Sequence, residues 1–217
     1  SDLGLARHYT DPQVLGVGGR IDPEWTTRRP PWWPSEFDWV IGCSYTGQHP
    51  GVVRNLIGAN CSFRRELFSD GGFVTGIGRS ATVQLPVGCE ETEFCIRAGK
   101  DHPDGYFLYD DQAPVIHTVP VARQTFSYFL SRCWAEGLSK ALVTNSVGVE
   151  TGLASELSYS TVTLPRGVAR GIGRAVRGDF TGLQTAAVII IGLGYTTVAY
   201  ALSVATRRVR AARRGLR

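Results

Sequence analysis

Apolar positions come as short runs over most of the chain and as one long run near its end. Residues 14–17 are apolar and closed by Gly18 and Gly19, which predicts a buried strand ending in a tight turn. Residues 22–38 carry four prolines with Trp25, Trp32 and Trp33, and read as an ordered surface loop rich in aromatics. Segments 39–42 and 57–63 look like further strands, and 64–69 like a short helix stopped by Gly71 and Gly72. Residues 74–88 are glycine-rich, which predicts mobility. Over 90–98 the pattern turns helical, with Phe94 inward and Glu93 and Arg97 one turn apart. Two more strands are expected at 106–109 and 115–117. Phe126, Phe129, Leu130 and Trp134 then recur at helical spacing within 125–142. Strand-like and helix-like segments alternate, so the expected class is α/β with a mixed sheet.

Residues 186–205 hold no charge and are long enough to cross a bilayer as one helix. Charge sharpens this picture. Residues 1–160 hold 13 Lys and Arg against 18 Asp and Glu, whereas 161–217 hold ten against one. The basic character belongs to the tail, and arginines flanking an apolar run suit anionic lipid rather than nucleic acid. The division expected is a globular unit over 1–160, a basic amphipathic linker over 161–184, a hydrophobic membrane helix over 185–206 and a basic tail over 207–217. Arg166, Arg170, Arg174 and Arg177 precede the apolar run and further arginines follow it, so a single span would put cations on both sides. Gly192 and Gly194 near its middle leave room for a re-entrant or in-plane helix. Five cysteines with no CxxC pair indicate neither a disulfide framework nor a zinc site, and reduced thiols are expected. Methionine is absent, even at position 1, so the chain is expected to be processed or cut from something longer.

The segment 88–99, GCEETEFCIRAG, gathers three carboxylates at a helix start. On composition alone these are helix-dipole acids with an ordinary Glu93–Arg97 pair. A wider pattern adds to that. YTDPQVLGVGG, EFDWVIGCSY, NLIGANCSFRRELFSDGGF, GCEETEFCIR, PVIHTVP and YFLSRCWAEGLSK, in that order, resemble the second half of the catalytic domain of family 2 glycosyltransferases, particularly actinobacterial ones. The resemblance covers most of residues 9–165.

It implies the acceptor-side half of a GT-A-like mixed sheet, followed here by a C-terminal hydrophobic helix. It also implies inverting transfer of a sugar from a nucleotide-sugar donor to a glycan or lipid-linked hydroxyl acceptor. The setting implied is the cytoplasmic face of the cell membrane, in cell-envelope glycan or glycolipid synthesis, with membrane lipids and no nucleic acid as partners. The family's Glu-Asp pair at a helix start falls on Glu90 and Glu91, and Glu91 takes the place of the Asp that acts as general base. Gly58, Ala59 and Asn60 resemble the segment beneath the sugars, with Asn60 otherwise read as bonding its own backbone. His117 stands where the family often has a His near the diphosphate or its Mg²⁺ or Mn²⁺, and the other reading of it is structural. Arg123 is either a phosphate contact or a solvated cation. Arg132 and Glu136 are expected to face the site and Trp134 the core. The Gln and Arg of the processive Gln-x-x-Arg-Trp motif are missing from 130–134, which disfavours a polymer synthase. Asp110-Asp111 follows the wrong strand to replace the donor half's Asp-x-Asp, which is expected upstream. The competing reading is a non-catalytic, membrane-attached sugar-binding or scaffold protein using Trp25, Trp32 and Trp33.

Overall fold

The computed structural model describes residues 2–69, 71–74, 90–147 and 157–215. The architecture is mixed α/β, with one four-stranded mixed sheet and a long apolar C-terminal helix. In chain order the elements are α1 (Asp2–Ala6), β1 (Val14–Trp25), β2 (Gly51–Val53), β3 (Cys61–Phe63), α2 (Glu90–Asp101), β4 (Tyr106–Val119), α3 (Phe126–Val147), α4 (Leu164–Val176) and α5 (Thr181–Gly215). The strand order is β2-β4-β1-β3, with β1 parallel to β4 and both outer strands antiparallel.

Several sequence expectations are corrected here. β1 does not turn at Gly18 and Gly19 but runs on to Trp25, into the stretch read as loop. A Cβ on Gly19 would overlap both the Ala113 carbonyl and the Asn60 amide, so that glycine permits close strand approach instead of a reversal. The two strands expected at 106–109 and 115–117 are one strand, β4. Its register with β1 shifts between Gly19–Asp110 and Ile21–Val115, so four intervening residues are absorbed as an irregularity. Segment 39–42 is the end of a 3₁₀ helix, Ser35–Ile41, closed by Gly42 at φ 82°. Of 57–63 only Cys61–Phe63 is strand, and Gly58–Asn60 is a 3₁₀ turn. The segment 64–69 holds a 3₁₀ helix, Arg65–Phe68. Residues 75–89, which include Cys89 and most of the glycine-rich segment, lie outside the described residues.

Two cores flank the sheet. One gathers Leu15, Leu56, Phe94, Cys95 and Phe107 beneath α2. Phe94 is fully buried, worth about 1.5–3 kcal/mol by area. The other joins Ile21, Phe37, Val119, Phe129 and Leu164 to Val188 and Ile189 of α5. The C-terminal helix is thus seated in the globular core along one face. Glycines make the fit possible: a Cβ on Gly137 of α3 would overlap the Thr196 carbonyl, and one on Gly171 of α4 would sit 3.0 Å from Ala186 Cβ. α5 runs unbroken through Gly192, whose missing side chain admits Phe37 and Phe129. The break that would make a re-entrant helix is absent from α5.

The tryptophans are also packed rather than presented. Trp33 is 3% exposed and meets Trp25, Trp32 and Phe129 at ring distances of 5.2–5.4 Å. Trp134 is half-buried and faces Tyr195 of α5 edge-on at 6.3 Å. Cys43, Cys61, Cys95 and Cys133 are free thiols.

Candidate functional site

A cleft of about 900 Å³ opens between the sheet edge, α2, α3 and α5. Its first wall is the chain from Val52 through Ala59, which leaves β2 and ends in the Gly58–Asn60 turn. Against it stands the start of α2, with Glu90, Glu91 and Thr92 on the rim. A Cβ on Gly58 would overlap Glu91 Oε1 and lie 2.8 Å from its carboxyl carbon, so the glycine leaves the space the carboxylate occupies.

Glu91 is felt by two thiols below it. Burial pushes Cys61 up to about 11 and Cys95 up to about 12, and the Glu91 charge adds to both shifts. Cys61 Sγ donates to the Gly58 carbonyl at 3.7 Å, which ties the strand to the turn beneath the carboxylate.

The opposite wall is cationic and acidic in alternation. Arg132, Glu136 and Lys140 recur every four residues on α3 and all line the cleft. Glu136 and Lys140 pair at 3.0 Å, and Arg132 is buried. His117, from the β4 position opposite Pro23 of β1, and Arg123, from the 3₁₀ turn Val121–Arg123, complete this side. The far wall is Ser158–Leu164 with Leu193, Thr196, Thr197 and Tyr200 of α5. Tyr159 holds this wall in place: its hydroxyl accepts from Trp39 Nε1 at 3.0 Å and donates to the Glu36 carbonyl. Gly47, at φ 102°, sits with its Cα face 2.8 Å from Thr163 Oγ1, measured to a Cβ placed on it.

Of the residues singled out by sequence, Gly58, Ala59, Glu90, Glu91, His117, Arg123, Arg132 and Glu136 line this one cleft. Asn60 does not. Its amide nitrogen donates to the Arg20 carbonyl at 3.1 Å and the Ala113 carbonyl at 2.9 Å, bracing β1 against β4, and it is 8% exposed. Asp110 is likewise engaged elsewhere, bound by Arg7 at 2.5 Å and His8 at 2.8 Å. Sequence reasoning missed Lys140, which the four-residue step from Arg132 and Glu136 already signals. It also missed Tyr45, His49, Arg54 and the α5 residues, for which no local pattern points to a shared wall.

Among the described residues no three of His, Cys, Asp and Glu come together as a metal-binding group.

Comparison with known proteins gives one informative likeness. The chain is 34% identical over 139 residues to the glucosyl-dolichyl phosphate glucuronosyltransferase of Haloferax volcanii, a match that covers 63% of this chain and 44% of that protein. The chain thus spans less than half the length of that relative. No protein-family profile matches it. No solved structure matches it either.

Proposed function

We propose that this chain is the acceptor-side part of a membrane-associated family 2 glycosyltransferase of GT-A type, which moves a sugar from a nucleotide-sugar donor to a hydroxyl of a lipid-linked acceptor. The observation that carries the reading is Glu91 in a cleft whose other walls hold Arg123, Arg132 and Lys140. A carboxylate opposite cations suits a reaction in which a hydroxyl must lose a proton while a diphosphate leaves. The acceptor O–H proton passes to Glu91 as its oxygen bonds the anomeric carbon. The bond from that carbon to the diphosphate oxygen breaks, and the oxygen leaves with the electron pair. Attack and departure on opposite faces invert the centre. Glu90, one residue earlier on the same rim, does not take the proton in this reading.

The similarity to an enzyme named for a dolichyl-phosphate-linked sugar supports a lipid-linked acceptor, and cell-envelope glycan or glycolipid synthesis is the setting in which such acceptors serve. The helix Thr181–Thr206 is long and apolar enough to cross a membrane, and only 22% of its most apolar window is buried, which is low for a soluble core helix. That supports membrane attachment, and we take the cytoplasmic face as the side on which transfer occurs. Mg²⁺ or Mn²⁺ remains part of the reading only as an ion held mainly outside the described residues, with His117 as this chain's contribution; no step above runs through it.

Glu91→Gln in the full-length protein tests the base. Turnover should fall about 10²–10⁴-fold with donor binding retained, and Glu90→Gln should be milder. Near-full transfer by the Glu91→Gln protein sinks the assignment.

A further inference from the structure

The membrane helix is one-sided. Ala186, Ile189, Gly192 and Ala199 of α5 are buried against α3, α4 and the 3₁₀ helix Ser35–Ile41. On the opposite side Leu183, Ile190, Ile191, Val198 and Leu202 are all exposed, with Ile190 at 61%. Leu183, Ile190 and Val198 are spaced by about two helical turns, and Ile191 and Leu202 flank them, so the five form one stripe about 30 Å long. A helix that crosses hydrocarbon needs about 20 residues whose surroundings are lipid or other membrane-buried apolar protein, not a polar globular unit. α5 has no such free length, because its inner face is occupied by the globular unit from Gly182 to Tyr200.

α4 lies antiparallel beside it and carries the same asymmetry. Gly167 and Gly171 face inward, where a Cβ would overlap Glu36 and the Gly182 carbonyl. Ile172 and Val176, with Phe180 in the turn that follows, are exposed, Val176 at 84% and Phe180 at 72%. Arg166, Arg170, Arg174 and Arg177 occupy the remaining side and are exposed. Arg170 pairs with Glu36 and Arg174 with Asp179 at 2.6 Å, which leaves Arg166 and Arg177 as the cations with no acidic partner among these pairs. An apolar stripe edged by arginines complements an anionic bilayer, which takes such helices parallel to its surface at a depth of roughly 5–10 Å.

We infer that α4 and α5 form a monotopic platform: the stripes Ile172–Val176–Phe180 and Leu183–Ile190–Val198–Leu202 lie in the plane of an anionic phospholipid surface, and the chain does not cross. This rests on the membrane attachment in the proposed function and sharpens it. It also removes the conflict of arginines on both flanks of the apolar run, since both flanks stay on one side. The cleft wall Leu193–Thr196–Thr197–Tyr200 then faces the headgroup layer, where a lipid-linked acceptor presents its polar end.

The test uses the full-length protein with an epitope after Arg217, in sealed vesicles with the cytoplasmic face outward. Protease should remove the epitope without permeabilisation. An epitope protected until detergent is added overturns the in-plane arrangement in favour of a span. In a second arm the purified protein is sedimented with vesicles of phosphatidylglycerol and phosphatidylcholine. Ile190→Asp and the double change Arg166→Glu with Arg177→Glu, all at exposed positions, should each weaken binding at least about tenfold, the charge reversal only on the anionic vesicles. Unchanged binding by both, or loss of a dimer in place of loss of vesicle binding, shows that the stripe meets something other than lipid and overturns the proposal. Sugar transfer is not read in either arm, so an inactive protein that docks as described would sink the function and leave the platform standing.

Discussion

Gly58 and Glu91 show how a site can depend on an absent side chain. Gly58 has no positive φ, so its backbone accepts alanine, yet a Cβ there overlaps the Glu91 carboxylate. The carboxylate is the end of a flexible side chain, and it will swing aside at little cost to the fold. Gly58→Ala should therefore lower transfer about 10²-fold, as expected of a misplacement near 1 Å, while the melting temperature stays near that of the parent. A thermal melt beside a transfer assay checks both halves. A large drop in stability would mean that the turn, and not the carboxylate, was disturbed. The GAN segment was singled out from sequence by its resemblance, but which member touches the cleft was not legible. Asn60 and Gly58 are two residues apart in a 3₁₀ turn, and only the fold decides that one braces strands while the other makes room.

At the scale of elements, the 3₁₀ helix Ser35–Ile41 gives the clearest case of chemistry hidden from sequence. Segment 39–42 has a strand's composition, but the Pro34 entry and the left-handed Gly42 exit curl it into a short helix that buries Glu36, Phe37 and Asp38. Burial raises Asp38 from 3.8 to about 6, although Arg29 beside it at 2.8 Å pulls the other way. The folded state then holds the Asp38 proton more tightly than the unfolded chain. Its stabilising contribution is complete below the unfolded value of 3.8 and is lost as pH rises through about 6. Wild-type stability measured relative to Asp38→Asn should fall by roughly 3 kcal/mol between about pH 4 and pH 7. Denaturant midpoints across that range check the slope, and a rise with pH would contradict it. Helix α3 was legible because its apolar positions repeat at the helical period over several turns, and α2 from Phe94 with Glu93 and Arg97 one turn apart. β1 was cut short because Gly18 and Gly19 look like a turn, and β4 was read as two strands because the irregular residues 110–114 lie inside it. In a sheet they mark close approach and an irregular register.

For the molecule as a whole, the mixed α/β class and the long apolar helix were readable from the alternation of segments and the uncharged run. The seating of that helix was not, because packing through Gly137, Gly171 and Gly192 leaves no trace in hydrophobicity. From sequence, residues 181–217 read as a separable anchor, and their removal should release a soluble catalytic part. The structure changes that expectation: Val188 and Ile189 share a core with Ile21, Phe37 and Phe129. Deleting residues 181–217 should strip the cover from this core and yield aggregated protein. Size-exclusion chromatography of the truncated form checks this, and a monodisperse, cooperatively melting product would refute it.

That shared core has a thermodynamic corollary. In the proposed platform the lipid-facing side of α5 is ordered only while its opposite face is folded onto the globular unit, so a bilayer would act as a ligand of the native state. By mass action, lipid at 100 times its dissociation constant adds about 2.7 kcal/mol to the free energy of unfolding. The same linkage run backward makes lipid withdrawal a destabilising event that begins at α5, the wall of the cleft itself.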